Sequence, residues 1–439
     1  MHHPKISGRN LSCIFTLLMM CYYSQMIGYA CLALGVPGSN LKTTILKHAT
    51  QERLYALIGL NLAALEVLLD YNIKNGIRLF RISSDLIPFG SSAAKSLPWR
   101  THFAEALGQI GGKIRSSGMR VSMHPGQYTV LNALDPEVAK SAVLDLDYHC
   151  QVLDAMGLSP DHKLILHLGG AYGDSDAAKA RFVSRWRDLN PAVQNRLVIE
   201  NDDRIFTIRD VLDVSLRAGI PVVFDNLHNA VNPANPCQAD LDWIREAAGT
   251  WKGYDGRQKI HYSQQDPGKR PGAHSPTIRV GPFLQYQEAL GDVDIMLEVK
   301  DKNLSAIKCI NCTSNRGIAA LEVEWSRYKY AILERDANAY QAIRRLLKDK
   351  EAYPALEMYQ LVEQALDKEP TAGSAANAAQ HVWGYFKDRA DKAEKRRWEA
   401  AMRRYQEGSG RLSAVKGVLQ RLSMKYGENY LNSGYYFAL

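Results

Sequence analysis

From Met26 onward the chain alternates short apolar runs with longer amphipathic ones, and few folds tolerate that rhythm. The strand-like runs are 26–32, 78–83, 119–124, 163–168, 196–201, 221–226, 257–262 and 293–299. Helical stretches lie between them, for example 50–75, 100–117, 136–156, 176–189 and 207–218. Repeated βα units build a parallel sheet, and eight of them within about 280 residues favour a closed (β/α)8 TIM barrel over an open doubly wound sheet. No Gly-x-Gly-x-x-Gly follows the first run, which argues against a dinucleotide-binding fold. Beyond about residue 305 the rhythm changes. Residues 330–367 and 374–425 read as helical, parted by the loop-like Lys368-Glu369-Pro370-Thr371-Ala372-Gly373. The expected organisation is an N-terminal extension (1–25), a barrel (26–305), a helical extension (306–373) and a small helical domain (374–439).

A hydrophobic share of 46% in 439 residues excludes disorder of the whole chain. The net charge of +8 permits a polyanionic partner without identifying one. Residues 331–439 hold 18 Lys and Arg against 14 Asp and Glu, so half of the excess lies there. Lys392 to Arg404 is densely basic: a solvated helix face is the plain reading, a DNA-facing surface the alternative. Of seven cysteines only Cys309 and Cys312 have metal-like spacing, and no second pair completes a zinc site. A reduced, cytoplasmic protein fits that pattern. Leu11–Tyr23 is apolar and follows Lys5 and Arg9, but no small-residue cleavage site follows it and it is too short to span a bilayer. Because Met26 opens a strand-like segment, residues 1–25 are expected to come from an upstream start codon, and no membrane attachment is expected.

The chemistry shows in where His, Asp and Glu fall. His124 ends the third run, His167 the fourth and Glu200 the fifth. Asp225 and His228 end the sixth, His261 the seventh and Glu298 the eighth, and His274 sits in the loop after the seventh. In a (β/α)8 barrel these strand ends converge on one mouth. One histidine there is ordinary scaffolding. Three carboxylates in one mouth repel each other unless cations sit among them, and imidazole mixed with carboxylate suits Zn²⁺ or Mn²⁺. Lys259 lies two residues before His261 and shares its face, where an ammonium would be repelled by metal ions unless deprotonated or modified.

The segments Arg-Ile-Ser-Ser-Asp-Leu-Ile-Pro (81–88), His-Pro-Gly-Gln-Tyr (124–128), Leu-His-Leu-Gly-Gly (166–170), Ile-Glu-Asn-Asp (199–202), Phe-Asp-Asn-Leu-His (224–228) and Lys-Ile-His-Tyr-Ser (259–263) together resemble the UV damage endonuclease family. The likeness runs from about 26 to 305, and implies the barrel type of endonuclease IV and xylose isomerase. It implies nicking of damaged double-stranded DNA immediately 5′ to a UV photoproduct, leaving 3′-hydroxyl and 5′-phosphate ends. It implies two or three divalent ions, Mn²⁺ first and Zn²⁺ or Mg²⁺ as alternatives, held by His124, His167, Glu200, Asp225, His228, His261, His274 and Glu298. Glu200, Lys259 and Glu298 are the expected catalytic residues, with Glu200 bridging two ions and Lys259 carboxylated. Tyr29, Gln127 and Tyr128 are the implied lesion-probing residues. An aromatic and an amide at the mouth could fill the gap left by an extruded, already poorly stacked pyrimidine pair.

Two positions depart from the family pattern. Ser92 stands where a histidine is usual, and Ala33-Leu34 replaces an expected polar Asn after Gly28-Tyr29. The tail from about 374 resembles more loosely a helical domain of unassigned function, through Gln380–Lys387 and the Tyr430-Leu431-x₃-Tyr435-Tyr436 pattern. Competing readings are an abasic-site endonuclease of the endonuclease IV type, a sugar isomerase or epimerase on the same barrel, and a DNA-binding protein without activity. The expected form is a monomer that joins the bacterial nucleoid during repair.

Overall fold

The computed structural model describes residues 25–439, so the expected N-terminal extension lies outside the described residues apart from Gln25. Eight parallel strands form one sheet: β1 (Ile27–Ala30), β2 (Leu79–Ile82), β3 (Arg120–Met123), β4 (Lys163–His167), β5 (Leu197–Glu200), β6 (Val222–Val223), β7 (Lys259–Tyr262) and β8 (Asp294–Leu297). Their order is β6-β5-β4-β3-β2-β1-β8-β7. The two ends meet where Asp225 bridges to His261 and the His261 N–H donates to the Phe224 carbonyl at 2.9 Å, closing the barrel. Each expected run contains one of these strands, trimmed at its ends. β6 keeps two residues because the chain turns at Asp225, whose carboxylate accepts from the His228 N–H and caps the short helix Asn226–Val231.

The outer ring is α1 (Gln51–Lys74), α2 (Ala104–Ser116), α3 (Pro136–Ala155), α4 (Ser175–Arg187), α5 (Ile208–Ala218), α6 (Asp240–Ala248), α7 (Val280–Leu290) and α8 (Asn303–Thr313). Local chemistry sets their starts. Thr50 caps α1, Asp135 caps α3 with Pro136 in its first turn, and Thr207 forms a capping box with Asp210 on α5. α1 is long and apolar enough to cross a membrane, yet half of that window is buried. Leu54, Ile58, Leu65 and Leu69 recur at helical spacing and bury against the sheet, each contributing about 1.5–3 kcal/mol of transfer free energy. Gly28 is required at the β1–β2 contact, because a Cβ there would lie 1.9 Å from the Leu79 carbonyl oxygen.

Inside the barrel, Ile165, Val198 and Val223 form a separate small cluster against Trp251. Near the N-terminal ends of the strands Arg120 pairs with Asp294 at 3.1 Å and Lys163 with Asp255 at 2.5 Å. Because strand side chains alternate, His167 and Glu200, two residues beyond Ile165 and Val198, share this interior at the mouth.

The remainder is α9 (Ile318–Arg335), α10 (Ala337–Leu346), α11 (Ala355–Leu366), α12 (Ala372–Trp383), α13 (Lys392–Gln406) and α14 (Leu412–Lys425). The stretch expected to be helical over 330–367 is interrupted where Asp336 caps α10 and again before Pro354. Thr371 caps α12, which shortens the expected loop. α9 carries Tyr328 and Ile332 into one apolar cluster with Leu304 of α8, and Tyr330 and Leu333 into a second with α12, α13 and α14. Glu363 ties α11 to the barrel, accepting from Lys308 at 2.7 Å and from the Val280 N–H at 3.0 Å.

Candidate metal centre

Glu200 is the hub of the mouth. Three groups of potential ligands lie within 4.8 Å of one another, and each includes Glu200: with His124 and His167, with Asp225 and His228, and with His261 and Glu298. The parallel register sets His167 beside Glu200. Glu200 Oε2 lies 3.3 Å from His124 Nε2 and 3.8 Å from His167 Nε2, while Oε1 lies 2.7 Å from His261 Nδ1 and 3.6 Å from His228 Nδ1. His274 reaches the rim, with Nε2 3.8 Å from Glu298 Oε2, and belongs to none of the three groups.

The electrostatics are those of a site with too much charge for its burial. Burial opposes ionisation of Glu200, but the imidazoles of His261, His167 and His124 outweigh it and hold the carboxyl well below its ordinary value. Burial pushes Asp225 up to about 7, with Glu200 and Glu298 adding to it against His228. Burial disfavours the His228 imidazolium, yet Asp225, Glu200 and Glu298 raise it to about 9. His261 goes the other way, to about 4, because burial and Arg81 outweigh Glu200.

The donor set fits divalent ions. Glu200 Oε2, Asp225 Oδ2 and His167 Nδ1 are buried without a hydrogen-bond partner among the described residues. Each such orphan costs about 1–3 kcal/mol, which a bound cation offsets at an oxygen facing the site. His124 Nδ1 lies 3.0 Å from the Pro125 carbonyl and His228 Nδ1 2.9 Å from that of Asn201. A carbonyl only accepts, so Nδ1 carries the proton in both rings and Nε2 is left as the ligand atom.

Arg81, absent from the sequence-derived list, sits inside this cluster. Its guanidinium donates to Glu298 Oε1 at 2.6 Å and lies 2.9 Å from His261 Nε2. The arginine opens the 81–88 motif, and its place on β2 was the available signal. A second layer also escaped notice. Ser84 Oγ donates to the His124 carbonyl at 2.8 Å and lies 2.9 Å from His149 Nε2, while His149 Nδ1 donates to the Asp145 carbonyl at 2.6 Å. Thr129 Oγ1 donates to Asp145 Oδ2 at 2.5 Å, so α3 anchors both ends of the loop after β3.

That loop carries Gln127 and Tyr128 at its tip, between the Gly126 carbonyl and the Thr129 N–H that donates to it at 2.9 Å. Both are exposed, Tyr128 by 82%. Tyr29 is a correction to the sequence reading. Its ring is fully buried, meets Phe80 edge-on and donates its hydroxyl to Asn72 Oδ1 at 2.8 Å, so it packs beneath α1 instead of probing a duplex. Ser92 is exposed in a turn, its hydroxyl 3.4 Å from the Phe89 carbonyl. Lys259 is buried, has no hydrogen-bond or ion-pair partner among the described residues, and has its pKa driven well below the ordinary lysine value by burial and by Arg120 and Arg81. Burial pushes the thiols of Cys309 and Cys312 up, the latter to about 12, opposite to what metal ligation needs.

Fold and site together define a (β/α)8 barrel whose mouth carries a histidine–carboxylate cluster able to hold divalent metal ions. Residues 25–326 match the UV-endonuclease UvdE family, and residues 329–439 match a protein family of unknown function, DUF1722. The chain belongs to the UvdE family. It is 40% identical over 352 residues to the UV DNA damage endonuclease of Clostridium perfringens, covering 77% of this chain and 83% of that one. It is 31% identical over 278 residues to the UV DNA damage endonuclease of Bacillus cereus strain Q1, covering 62% and 87%. The crystal structure of SacUVDE superposes with a TM-score of 0.63 at 38% identity, over 66% of this chain and 98% of that one.

Proposed function

We propose that this protein is a UV damage endonuclease, a cytoplasmic enzyme that hydrolyses the phosphodiester immediately 5′ to a photoproduct in double-stranded DNA. The observation that carries the reading is the convergence of three ligand groups on Glu200, one of them including His124, whose own loop carries the exposed Gln127 and Tyr128, in a member of this family. His124, His167, Glu200, Asp225, His228, His261 and Glu298 would hold two or three ions, Mn²⁺ by preference, with His274 completing the set at the rim. Bound divalent ions supply a nucleophilic water at neutral pH and neutralise charge on the phosphoryl oxygens.

The chain's own residues do the rest. Glu200 offers an oxygen to each side of the cluster, and Arg81 holds Glu298 in place through the bond at 2.6 Å. Lys259 is poised as a neutral amine, the form that adds carbon dioxide and releases a proton to become an N-carboxylate. That reaction would turn a buried amine into an anionic ligand. Tyr128 and Gln127 occupy the gap left by an extruded lesion, and a crosslinked pyrimidine pair costs less to extrude than stacked bases. Expected ends are a 3′-hydroxyl and a 5′-phosphate.

The test compares nicking of UV-irradiated, abasic and undamaged duplexes with Mn²⁺, with Zn²⁺ and with chelator. Cleavage 5′ to the photoproduct that chelator abolishes supports the reading. Preference for the abasic duplex would move the protein to the endonuclease IV type of activity, and isomerisation of a sugar with no nicking would overturn the nuclease assignment.

A further inference from the structure

The helical C-terminal region holds a groove of about 720 Å³ between α13 and α14, distant in sequence from every residue of the metal cluster. Its lining residues on α13 recur at helical spacing from Ala393 to Arg404, and those on α14 from Ser413 to Arg421, so two helix faces look at each other. Small side chains such as Ala400 and Gly417 line the space without filling it. Arg396, Arg397, Arg404 and Arg421 line the space, and no carboxylate does. All four arginines are exposed, and none has an ion-pair or hydrogen-bond partner for its guanidinium among the described residues. Beyond the groove, Arg389 pairs with Glu428 at 3.3 Å, Lys416 with Glu334 at 2.9 Å and Lys425 with Glu394 at 2.5 Å. The groove gathers four arginines that make no such pair.

We infer that this groove binds the phosphate backbone of duplex DNA, as a second contact for the molecule on which the barrel acts. The inference rests on the endonuclease reading for its choice of DNA. Arg397 and Arg404 lie two helical turns apart on one face of α13, about 10 Å along its axis, so they can meet different phosphates of one backbone. Guanidinium suits the work, because its fork matches phosphate oxygens in pairs. On its other flank α14 offers Gln420 and Met424 to a cavity of about 460 Å³ that Leu34–Gly38, in the segment following β1, also line. The contact reads no base, so its part is to hold undamaged and damaged duplex alike.

The experiment uses the full chain with Arg396, Arg397, Arg404 and Arg421 all changed to Gln, and the same four changed to Lys. Binding of a short undamaged duplex is titrated across a salt series. The Gln protein is expected to bind roughly tenfold to a hundredfold more weakly at moderate salt, with a salt slope lower by about 0.9 for each lost phosphate contact. The Lys protein should recover most of the slope, which separates charge from misfolding. Nicking at saturating damaged duplex should stay unchanged while the KM for DNA rises. Unaltered affinity and slope in the Gln protein would overturn the inference, as would an arginine-dependent preference for single-stranded RNA over duplex DNA. If no protein nicks any duplex yet arginine-dependent binding persists, the catalytic reading has failed and the groove assignment stands.

Discussion

Changing Glu200 to Gln removes one charge and almost no volume, and the surroundings of the side chain say what should follow. Both oxygens of Glu200 face imidazoles, and Oε2 is buried without a hydrogen-bond partner. Without metal, Gln keeps a carbonyl oxygen for His261 but loses the attraction to the imidazoles that outweighs burial, so the variant should be less stable by up to about 3–5 kcal/mol. With metal the loss grows, because all three ligand groups include this residue. Saturation at a hundred times the dissociation constant stabilises a native protein by about 2.7 kcal/mol, and that increment should vanish in the variant. Loss of several kcal/mol of charge stabilisation at the reacting phosphate corresponds to a fall in nicking of roughly a thousandfold or more. The assay pairs a nicking time course with thermal melts with and without Mn²⁺. A Glu200→Gln protein that keeps both the Mn²⁺-dependent rise in Tm and full nicking would refute the shared-ligand argument.

Three further outcomes follow. Tyr128→Ala should leave stability within about 0.5 kcal/mol, since the ring is 82% exposed, but remove about 1–3 kcal/mol of preference for damaged over undamaged duplex, measured by competition binding. Lys259→Met should fold at least as stably, because it replaces a buried amine without a partner, while metal content and nicking fall; in the unaltered protein, degassing should lower activity and bicarbonate restore it, and indifference to both would remove the carboxylation. His162 is buried, accepts the Val121 N–H at 3.0 Å and titrates at about 4, below the ordinary 6.5, so the unfolded chain takes up its proton first. Its contribution is fully present above pH 6.5 and lost as pH falls toward 4, about 3 kcal/mol in all, and urea unfolding of His162→Asn over that window should show a flatter pH dependence than the parent.

The barrel was legible because one signal repeated eight times and each repeat had the length of a strand. The clustering of candidate ligands was legible for the same reason: His124, His167, Glu200, Asp225, His261 and Glu298 all fall at one end of a period-two element, and parity aims them inward. Helix breaks inside 330–367 were not, because Asp336 reads as an ordinary polar residue until its carboxylate is seen to accept two backbone N–H groups. Tyr29 shows the limit of motif transfer. Gly28-Tyr29 matches the family in letters, but an aromatic two residues into a strand has two faces to choose from, and Asn72 on α1 supplies the buried partner that decides for the outside of the barrel. Neighbours from a different element are what linear sequence does not display.

Arg81 makes the same point in the opposite direction and explains how so acidic a mouth folds at all. Glu200, Asp225 and Glu298 lie in one pocket, and without a countercharge each would raise the cost of ionising the others. Arg81 meets Glu298 directly, and His228 takes a proton between Asp225 and Glu200, so the three carboxylates are compensated by one guanidinium and one imidazolium. The orphaned oxygens of Glu200 and Asp225 mark what this compensation leaves undone. Arg81 is permanently charged, whereas the His228 imidazolium can lose its proton to solvent, which would free Nε2 for a metal ion. The two cations therefore differ in kind: one keeps Glu298 in place, the other would give way to an ion held by Glu200 and Asp225.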